Sequence, residues 1–184
     1  MIPRTLCVFC GSRSGADPAF GAAAVGLGTR LAERGFALVY GGASVGLMGA
    51  VADAVVAAGG HATGVITEAL AGHEIAHGNL HHLHVVRTMH ERKALMAELS
   101  DAFVMLPGGF GTWEEFMESV TWAHLGIHDK RCGILNVSGY YDGLLGFLEN
   151  AVSRGFVDAH QVQGLVVRSE VDALLDGLLD GLAE

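Results

Sequence analysis

The sequence predicts an α/β protein of the Rossmann-like, doubly wound class, in which a mainly parallel sheet carries helices on both faces. Short apolar runs alternate with longer amphipathic patterns along all 184 residues, which is typical of strands joined by helical crossovers. The strand candidates are near-continuous apolar runs, such as residues 102–106, and such runs indicate strands that are buried on both faces. The length suits one domain with a full core, which we expect to span residues 1–184.

Seven strands and six longer helices are predicted from these patterns. The strands are expected at residues 4–10, 36–41, 61–66, 81–86, 101–106, 131–137 and 163–168. The helices are expected at residues 17–34, 46–58, 88–99, 112–126, 140–154 and 169–182. Because parallel strands are joined by right-handed crossovers, the strand-to-helix loops should meet at one edge of the sheet, where open α/β sheets bind their ligands.

The composition excludes some partners. The net charge is −9 with only 11 Lys and Arg, which is too few to build the basic face of a nucleic-acid-binding protein. We find no secretory signal pattern and no apolar run of 18 residues, so we expect a cytoplasmic protein without a membrane partner. Cys7 and Cys10 form a C-x-x-C, but on a strand they point to opposite faces. With Cys132, they are interpreted as reduced core residues of a cytosolic protein.

Three of the predicted strand-to-helix loops are rich in glycine. They cover residues 10–15, 41–46 and 107–112. The third is the most specific, because three glycines lie between a strand and a helix predicted to begin at Thr112, and such a helix N-terminus favours a phosphate. In the other two loops, the candidate phosphate-binding residues are Gly11, Ser12, Gly41, Gly42 and Gly46. A tight turn without a ligand is the alternative. A dinucleotide fingerprint at the first strand and a Walker A motif are both absent from the sequence.

Arg92 and Glu115 are the charged residues whose positions need an explanation. On the helix at 88–99, Arg92 falls on the apolar stripe of Met89, Met96 and Leu99, and Lys93 lies at its border. A buried cation needs an anionic partner, which could be a substrate phosphate, a catalytic carboxylate or a structural ion pair. Residues 88–91 and 112–115 both match a capping box, so Glu115 could instead serve only as a helix cap.

Residues 73–77 match the H-E-x-x-H pattern of zinc proteases. That chemistry needs both histidines on one face of a stable helix. Gly72 precedes the motif and Gly78-Asn79 follow it, so any helix here would be short. We therefore expect no metal site, and we expect His81, His82 and His84 to lie on the surface of the neighbouring strand.

Several motifs together resemble the Lonely Guy (LOG) family of cytokinin riboside 5′-monophosphate phosphoribohydrolases, long mislabelled as lysine decarboxylases. Residues 107–115 resemble its P-G-G-x-G-T-x-x-E signature, and residues 41–49 resemble its G-G-x-x-x-G-L-M-G loop. Residues 89–94 resemble its M-H-x-R-K-A helix, and residues 122–130 and 136–141 are also family-like. The resemblance extends from about residue 4 to residue 157.

The resemblance implies a Rossmann-like homodimer without a cofactor. It implies that Arg92 and Glu115 are the catalytic pair. The substrate contacts that it implies are Glu74, Arg92, Lys93, Gly109, Phe110, Gly111, Thr112, Trp113, Glu114, Glu115 and Thr121. The family often has Tyr where this chain has Phe110, so a hydroxyl contact would be lost there.

The implied reaction is hydrolysis of the N-glycosidic bond of an adenine-type nucleoside 5′-monophosphate, giving the free base and ribose 5-phosphate. The sequence does not decide whether N6-prenylated adenine is preferred over plain adenine. One rival is a non-catalytic nucleotide or cofactor carrier on the same fold. The other is a pyridoxal-phosphate decarboxylase, but the only lysines are Lys93 and Lys130, and neither is a convincing Schiff-base site.

The helix at 112–126 has more apolar surface than one core contact requires. Its stripe at i, i+3, i+4 and i+7 spacing comprises Trp113, Phe116, Met117 and Val120, and Trp122 and Leu125 add apolar area at other angles. A second copy of the chain is the expected cover, with the site near or across the interface. An assembly larger than a dimer stays open, and the alternative is that another helix of the same chain covers this side.

Overall fold

Seven parallel strands form one sheet in the computed structural model, which describes residues 4–71 and 76–179. The strands are β1 (Thr5–Phe9), β2 (Ala37–Tyr40), β3 (Ala62–Thr67), β4 (His82–Val86), β5 (Ala102–Met105), β6 (Arg131–Leu135) and β7 (Val166–Arg168). Their order across the sheet is β4-β3-β2-β1-β5-β6-β7. The predicted fold class is therefore confirmed. The chain order reverses between β1 and β5, which is the place where doubly wound sheets bind ligands.

The six predicted longer helices are all present, with ends that differ by a few residues, and residues 180–182 of the last prediction lie outside the described residues. The helices are α1 (Pro18–Glu33), α2 (Gly46–Ala57), α3 (Glu68–Ala71), α4 (Met89–Glu98), α5 (Phe110–His124), α6 (Asp142–Ser153), α7 (Ala159–Gln163) and α8 (Val171–Leu179). The short helices α3 and α7 and a 3-10 turn at Val137–Gly139 were not predicted, because such short segments have no clear periodicity.

Two apolar clusters lie on the two faces of the sheet. One packs α1, α2 and α8 against the strands, and the other packs α4, α5 and α6. Cys10 belongs to the first cluster and Cys7 to the second, so the two thiols do point to opposite faces. Both are free and buried, as is Cys132.

The start of α5 differs from the prediction. The helix begins at Phe110 with Gly109 as its N-cap, and this N-cap makes no side-chain hydrogen bond. The predicted capping box at 112–115 is therefore wrong, because Thr112 already lies in the first turn, where it is buried. The other box is half correct: the Thr88 hydroxyl accepts the Glu91 N–H at 3.1 Å, but the Glu91 carboxylate accepts from Arg87 instead of Thr88.

The apolar stripe of α5 is only partly covered. Phe116 is fully buried, and Met117 and Val120 pack against the second cluster. Trp113 and Leu125 remain 37% and 64% exposed.

Among the described residues, no helix combines the length and the apolar character that crossing a bilayer requires.

Candidate active site

A cavity of about 650 Å³ opens at the carboxyl ends of β1 and β5. The first and third glycine loops form much of its lining, and α4 and α5 contribute the charged residues Arg92, Glu114 and Glu115. Leu47, Met48, Leu70, Met89, Phe20 and Tyr140 add apolar and aromatic walls. A cleft of this size at a strand-order reversal suits a small-molecule ligand.

The first and third glycine loops are fastened to each other. The Gly11 N–H donates to the Pro107 carbonyl at 3.1 Å. A Cβ on Gly108 would overlap the Thr112 side chain and lie 2.9 Å from the Gly11 nitrogen, so only glycine permits this approach. The hydroxyls of Tyr140 and Tyr141 donate to the carbonyls of Gly108 and Leu106, each at 2.7 Å. These contacts fix the backbone that leads into α5.

The N-terminus of α5 faces the cavity with the features that suit an anion. The first amides of a helix have no partner within the helix, and the N-cap residue of α5, Gly109, provides no side-chain hydrogen bond to them. Gly109, Phe110, Gly111 and Thr112 all line the cavity. Free amides and the positive end of the helix dipole favour a phosphate in this position.

The second glycine loop has a different role, because Gly41, Gly42 and Gly46 do not line the cavity. The Gly41 and Gly42 carbonyls accept from the Arg92 side chain and the His77 N–H, at 3.2 and 3.1 Å. The amides of residues 47 and 48, at the start of α2, donate to the Gly11 carbonyl. Direct phosphate contacts from Gly41, Gly42 and Gly46 stay a prediction, although the amides of Leu47 and Met48 next to them are already occupied.

Arg92 is buried and holds three elements together. Its Nη1 donates to Glu115 Oε1 at 2.7 Å, Nε to the Val65 carbonyl at 2.8 Å, and Nη2 to the Gly41 carbonyl. The side chains of Arg92 and Glu115 are only 6% and 11% exposed. The anionic partner that the stripe on α4 required is thus Glu115, and both residues line the cavity.

Lys93 lies beside the cavity without lining it. Its Nζ donates to Glu114 Oε1 at 2.5 Å and to Glu118 Oε1 at 3.0 Å. Burial lowers the pKa of Lys93, but the hydrogen bonds with the two carboxylates outweigh this effect and raise the pKa above its usual value. A lysine held as a cation is a poor Schiff-base nucleophile. The Lys130 Nζ donates to the Ala97 carbonyl and also lies outside the cavity lining.

The remaining predicted contacts separate into two groups. Gly11 and Ser12 line the cavity, as do Gly109–Thr112 and Glu114. Trp113 packs edge-on against Phe110, with ring centroids 5.2 Å apart, and lies outside the lining. Thr121 is on the exposed side of α5, where its hydroxyl donates to the Met117 carbonyl. Glu74 lies outside the described residues.

One of the three specified residues of the H-E-x-x-H motif can be placed. His73 and Glu74 lie outside the described residues, whereas His77 is buried. Its Nε2 is 2.9 Å from Asp53 Oδ1, and its Nδ1 accepts the Asn79 N–H at 3.3 Å. Within residues 4–71 and 76–179, no cluster of three or more His, Cys, Asp or Glu could hold a metal ion.

Sequence reasoning missed several lining residues. Arg13, Ser14, Gly15, Phe20, Leu70 and Tyr140 line the cavity but were not candidates. Arg13 and Tyr140 lie within segments that the sequence had marked, the first glycine loop and the motif at 136–141. The signal was therefore present, but which side chains reach the cavity depends on contacts between distant parts of the chain.

The fold and the cavity define a Rossmann-like protein with a ligand-sized cleft at the switch point of its sheet. The family model described as "Possible lysine decarboxylase" matches residues 48–178. Cytokinin riboside 5′-monophosphate phosphoribohydrolase LOG1 of Arabidopsis thaliana is 51% identical over 84% of the chain and 72% of its own length. Probable cytokinin riboside 5′-monophosphate phosphoribohydrolase LOG4 of Oryza sativa subsp. japonica is 49% identical over 98% and 78%. The chain belongs to this LOG family.

Solved structures with low sequence identity share the fold. The molybdenum cofactor binding protein of Rippkaea orientalis has a TM-score of 0.75 at 19% identity, covering 100% of this chain and 99% of that one. The molybdenum cofactor carrier protein of Chlamydomonas reinhardtii has a TM-score of 0.75 at 20% identity, with 99% of both chains covered. At this identity the likeness shows the Rossmann-like fold and nothing about ligands.

Proposed function

We propose that this protein hydrolyses the N-glycosidic bond of adenine-type nucleoside 5′-monophosphates to the free base and ribose 5-phosphate. The observation that carries the proposal is the buried Arg92–Glu115 pair, which lines a cavity next to the uncapped N-terminus of α5. Relatives with about half of their residues identical are named as phosphoribohydrolases of cytokinin riboside 5′-monophosphates. A carrier would need the anion site but not the buried carboxylate.

In this proposal different residues of the cavity bind the phosphate and act on the glycosidic bond. The amides of residues 109–112 bind the 5′-phosphate and so position the ribose. The C1′–N bond breaks with oxocarbenium character, and the nearby Glu115 carboxylate stabilises that charge and accepts a proton from the attacking water. Water adds to C1′ as the C1′–N bond breaks, and the proton that Glu115 accepts from the water is passed on to the departing base, which restores the carboxylate. Arg92 keeps the carboxylate correctly placed, because its guanidinium is fixed by hydrogen bonds to two backbone carbonyls.

The other contacts stay within the same proposal. Glu114 lines the cavity and is available to the sugar or base, and Lys93 acts on the substrate through its hold on Glu114. Phe110 offers an apolar ring at the cavity mouth, backed by Trp113. Glu74 is proposed as a substrate contact from the resemblance alone. The reaction needs neither a metal nor a cofactor.

We also propose a homodimer that covers the exposed face of α5 and the turn after it. Phe110, Leu125 and Ile127 are 86%, 64% and 63% exposed, which is costly for apolar side chains in water. Thr121 lies on the exposed surface of the same helix. A second copy packed there would bring its own cavity close to Thr121, so that Thr121 could contact the substrate bound in the partner subunit. Sedimentation over a dilution series, run with activity assays, tests this. Loss of activity on dissociation is expected, and a fully active monomer would defeat the idea.

The proposed compartment is the cytoplasm. Cys7, Cys10 and Cys132 are all free and buried, as expected of a protein that folds under reducing conditions. Cell fractionation with an antibody to the chain tests this directly, and recovery in a secreted fraction would contradict it.

Product analysis by chromatography tests the reaction and its substrate. The protein is incubated with AMP, with isopentenyladenosine monophosphate and with adenosine. We expect free base from both monophosphates and a much lower kcat/KM for adenosine, because loss of the phosphate removes its positioning energy. The ratio of the two monophosphates decides whether the N6-prenyl group is preferred. Stoichiometric binding of AMP without release of adenine would instead favour a carrier.

A further inference from the structure

We infer that Arg13, on the first glycine loop, is a phosphate-recognising residue of this site. The inference rests on the proposed function, since it names a further contact to the same 5′-phosphate. Arg13 lines the cavity together with its neighbours Ser12 and Ser14, and its side chain is exposed to the open space in front of it.

The charges that line the cavity make a further cation necessary. The lining contains two arginines, Arg13 and Arg92, and two carboxylates, Glu114 and Glu115. Arg92 is bound to Glu115, and the ammonium of Lys93 is bound to Glu114 and Glu118 outside the lining. Among the described residues that line the cavity, Arg13 is the cation without a hydrogen bond or ion pair. A phosphate dianion therefore meets one uncommitted positive side chain there.

The backbone of the first loop holds Arg13 in place. Gly46 packs so closely against the Ser12 carbonyl group and the Arg13 nitrogen that a Cβ would overlap them. The Gly11 carbonyl accepts two amides from the start of α2, and the Gly11 N–H donates to the third loop. The Arg13 backbone is thus anchored to both glycine loops. Only its side chain must be ordered when a ligand binds, which keeps the entropic cost small.

The amides of α5 alone leave the phosphate charge uncompensated. They are neutral donors, and the equivalent amides of α2 are occupied by the Gly11 carbonyl. The Glu114 and Glu115 carboxylates nearby repel an incoming anion. A guanidinium supplies the missing charge and can bind two phosphate oxygens at once. This division predicts that Arg13 acts on affinity for the phosphate and leaves the chemistry at the glycosidic bond alone.

Arg13→Gln tests the inference, with Arg154→Gln as the matched control. Arg154 is exposed at the end of α6 and does not line the cavity, so both variants lose the same charge. Calorimetry measures the Kd of ribose 5-phosphate, and kinetics measure kcat and KM for AMP and adenosine. For Arg13→Gln we expect roughly 10-fold weaker binding of ribose 5-phosphate, as for one charge-assisted hydrogen bond. KM for AMP should rise by a similar factor, with kcat and adenosine hydrolysis unchanged. The Kd of ribose 5-phosphate for Arg13→Lys should lie between the values for the wild type and for Arg13→Gln.

Four results would overturn the inference. Ribose 5-phosphate could bind Arg13→Gln as tightly as it binds the wild type, or fail to bind the wild type at all. Adenosine and AMP could lose kcat/KM equally. Arg154→Gln could show the same loss, which would assign the effect to net charge. Since the calorimetry needs no turnover, a wild type that binds ribose 5-phosphate but does not cleave AMP would refute the hydrolase proposal and still give a result for Arg13.

Discussion

The glycine loops at residues 41–46 and 107–112 look alike in sequence but differ in what meets their helix N-termini. Each follows a parallel strand and leads into a helix, α2 in one case and α5 in the other. At α2 the amides of Leu47 and Met48 donate to the Gly11 carbonyl. At α5 the N-cap Gly109 makes no side-chain hydrogen bond, and residues 109–112 line the cavity.

This difference separates two uses of glycine that a sequence pattern cannot distinguish. In the loop at 41–46, glycine allows backbone to pack against backbone, and the loop supports Arg92 and the first glycine loop from behind. In the loop at 107–112, the glycines at 109 and 111 border open space, because a Cβ added at either position would have no atom within 4 Å. We interpret the loop at 41–46 as a structural support and the loop at 107–112 as a ligand-binding loop.

The largest expected effect is at the carboxylate behind the ligand-binding loop. Glu115→Gln should lower kcat for AMP by about 10²–10³-fold, because a preorganised charge that faces the developing cation is lost. The fold should persist, since Gln can still accept from Arg92. Glu118→Gln, one turn further along α5, is the matched control and should keep nearly normal turnover. Circular dichroism and steady-state kinetics measure both, and near-normal turnover of folded Glu115→Gln would end the catalytic assignment.

A substitution in the loop at 41–46 should lower the free energy of unfolding. Gly46→Ala places a methyl group against the Ser12 backbone at a φ of 60°. The left-handed backbone costs about 1–2 kcal/mol, and the overlap adds about 1–3 kcal/mol. Gly59→Ala is the matched control, with a φ of 76° and no atom within 4 Å, so only the first cost applies. Denaturant unfolding measures both free energies, and equal losses would show that Gly46 is not tightly packed.

A substitution in the loop at 107–112 should lower kcat/KM and should not lower the free energy of unfolding. Gly111→Ala lies in the first turn of α5 with nothing within 4 Å, so the free energy of unfolding should rise by up to about 1 kcal/mol. The added methyl group obstructs the approach of a phosphate, and kcat/KM for AMP should fall roughly 10-fold through misplacement of the substrate. Gly143→Ala on α6 is an equally open helical control. A drop in stability without a drop in activity would reverse the assignments of the two loops.

The smallest expected effect is that of a chelator. Among the described residues, neither loop offers a metal ligand set, and the proposed chemistry depends on the Arg92–Glu115 pair. Activity with AMP should be unchanged after dialysis against EDTA. Activity that is lost in chelator and restored by zinc alone would overturn this and would return attention to residues 73–77.

The sequence predicted what depends on local pattern. Alternating apolar runs located all seven strands, and the stripe on α4 correctly required an anion beside Arg92, because burial of a charge is visible in helical spacing. The prediction of a capping box at residues 112–115 was wrong, because the N-cap of α5 is Gly109, which has no side-chain oxygen. The role of the loop at 41–46 and the reach of Tyr140 to Gly108 depend on contacts between distant segments, which no local pattern encodes.

The most direct test of these assignments is a crystal structure of the Glu115→Gln protein soaked with AMP. We predict that the 5′-phosphate lies on the amides of residues 109–112, with the glycosidic bond beside residue 115 and the loop at 41–46 making no contact with the ligand. A phosphate bound to residues 41–46, or an adenosine moiety placed with C1′ remote from residue 115, would contradict this assignment.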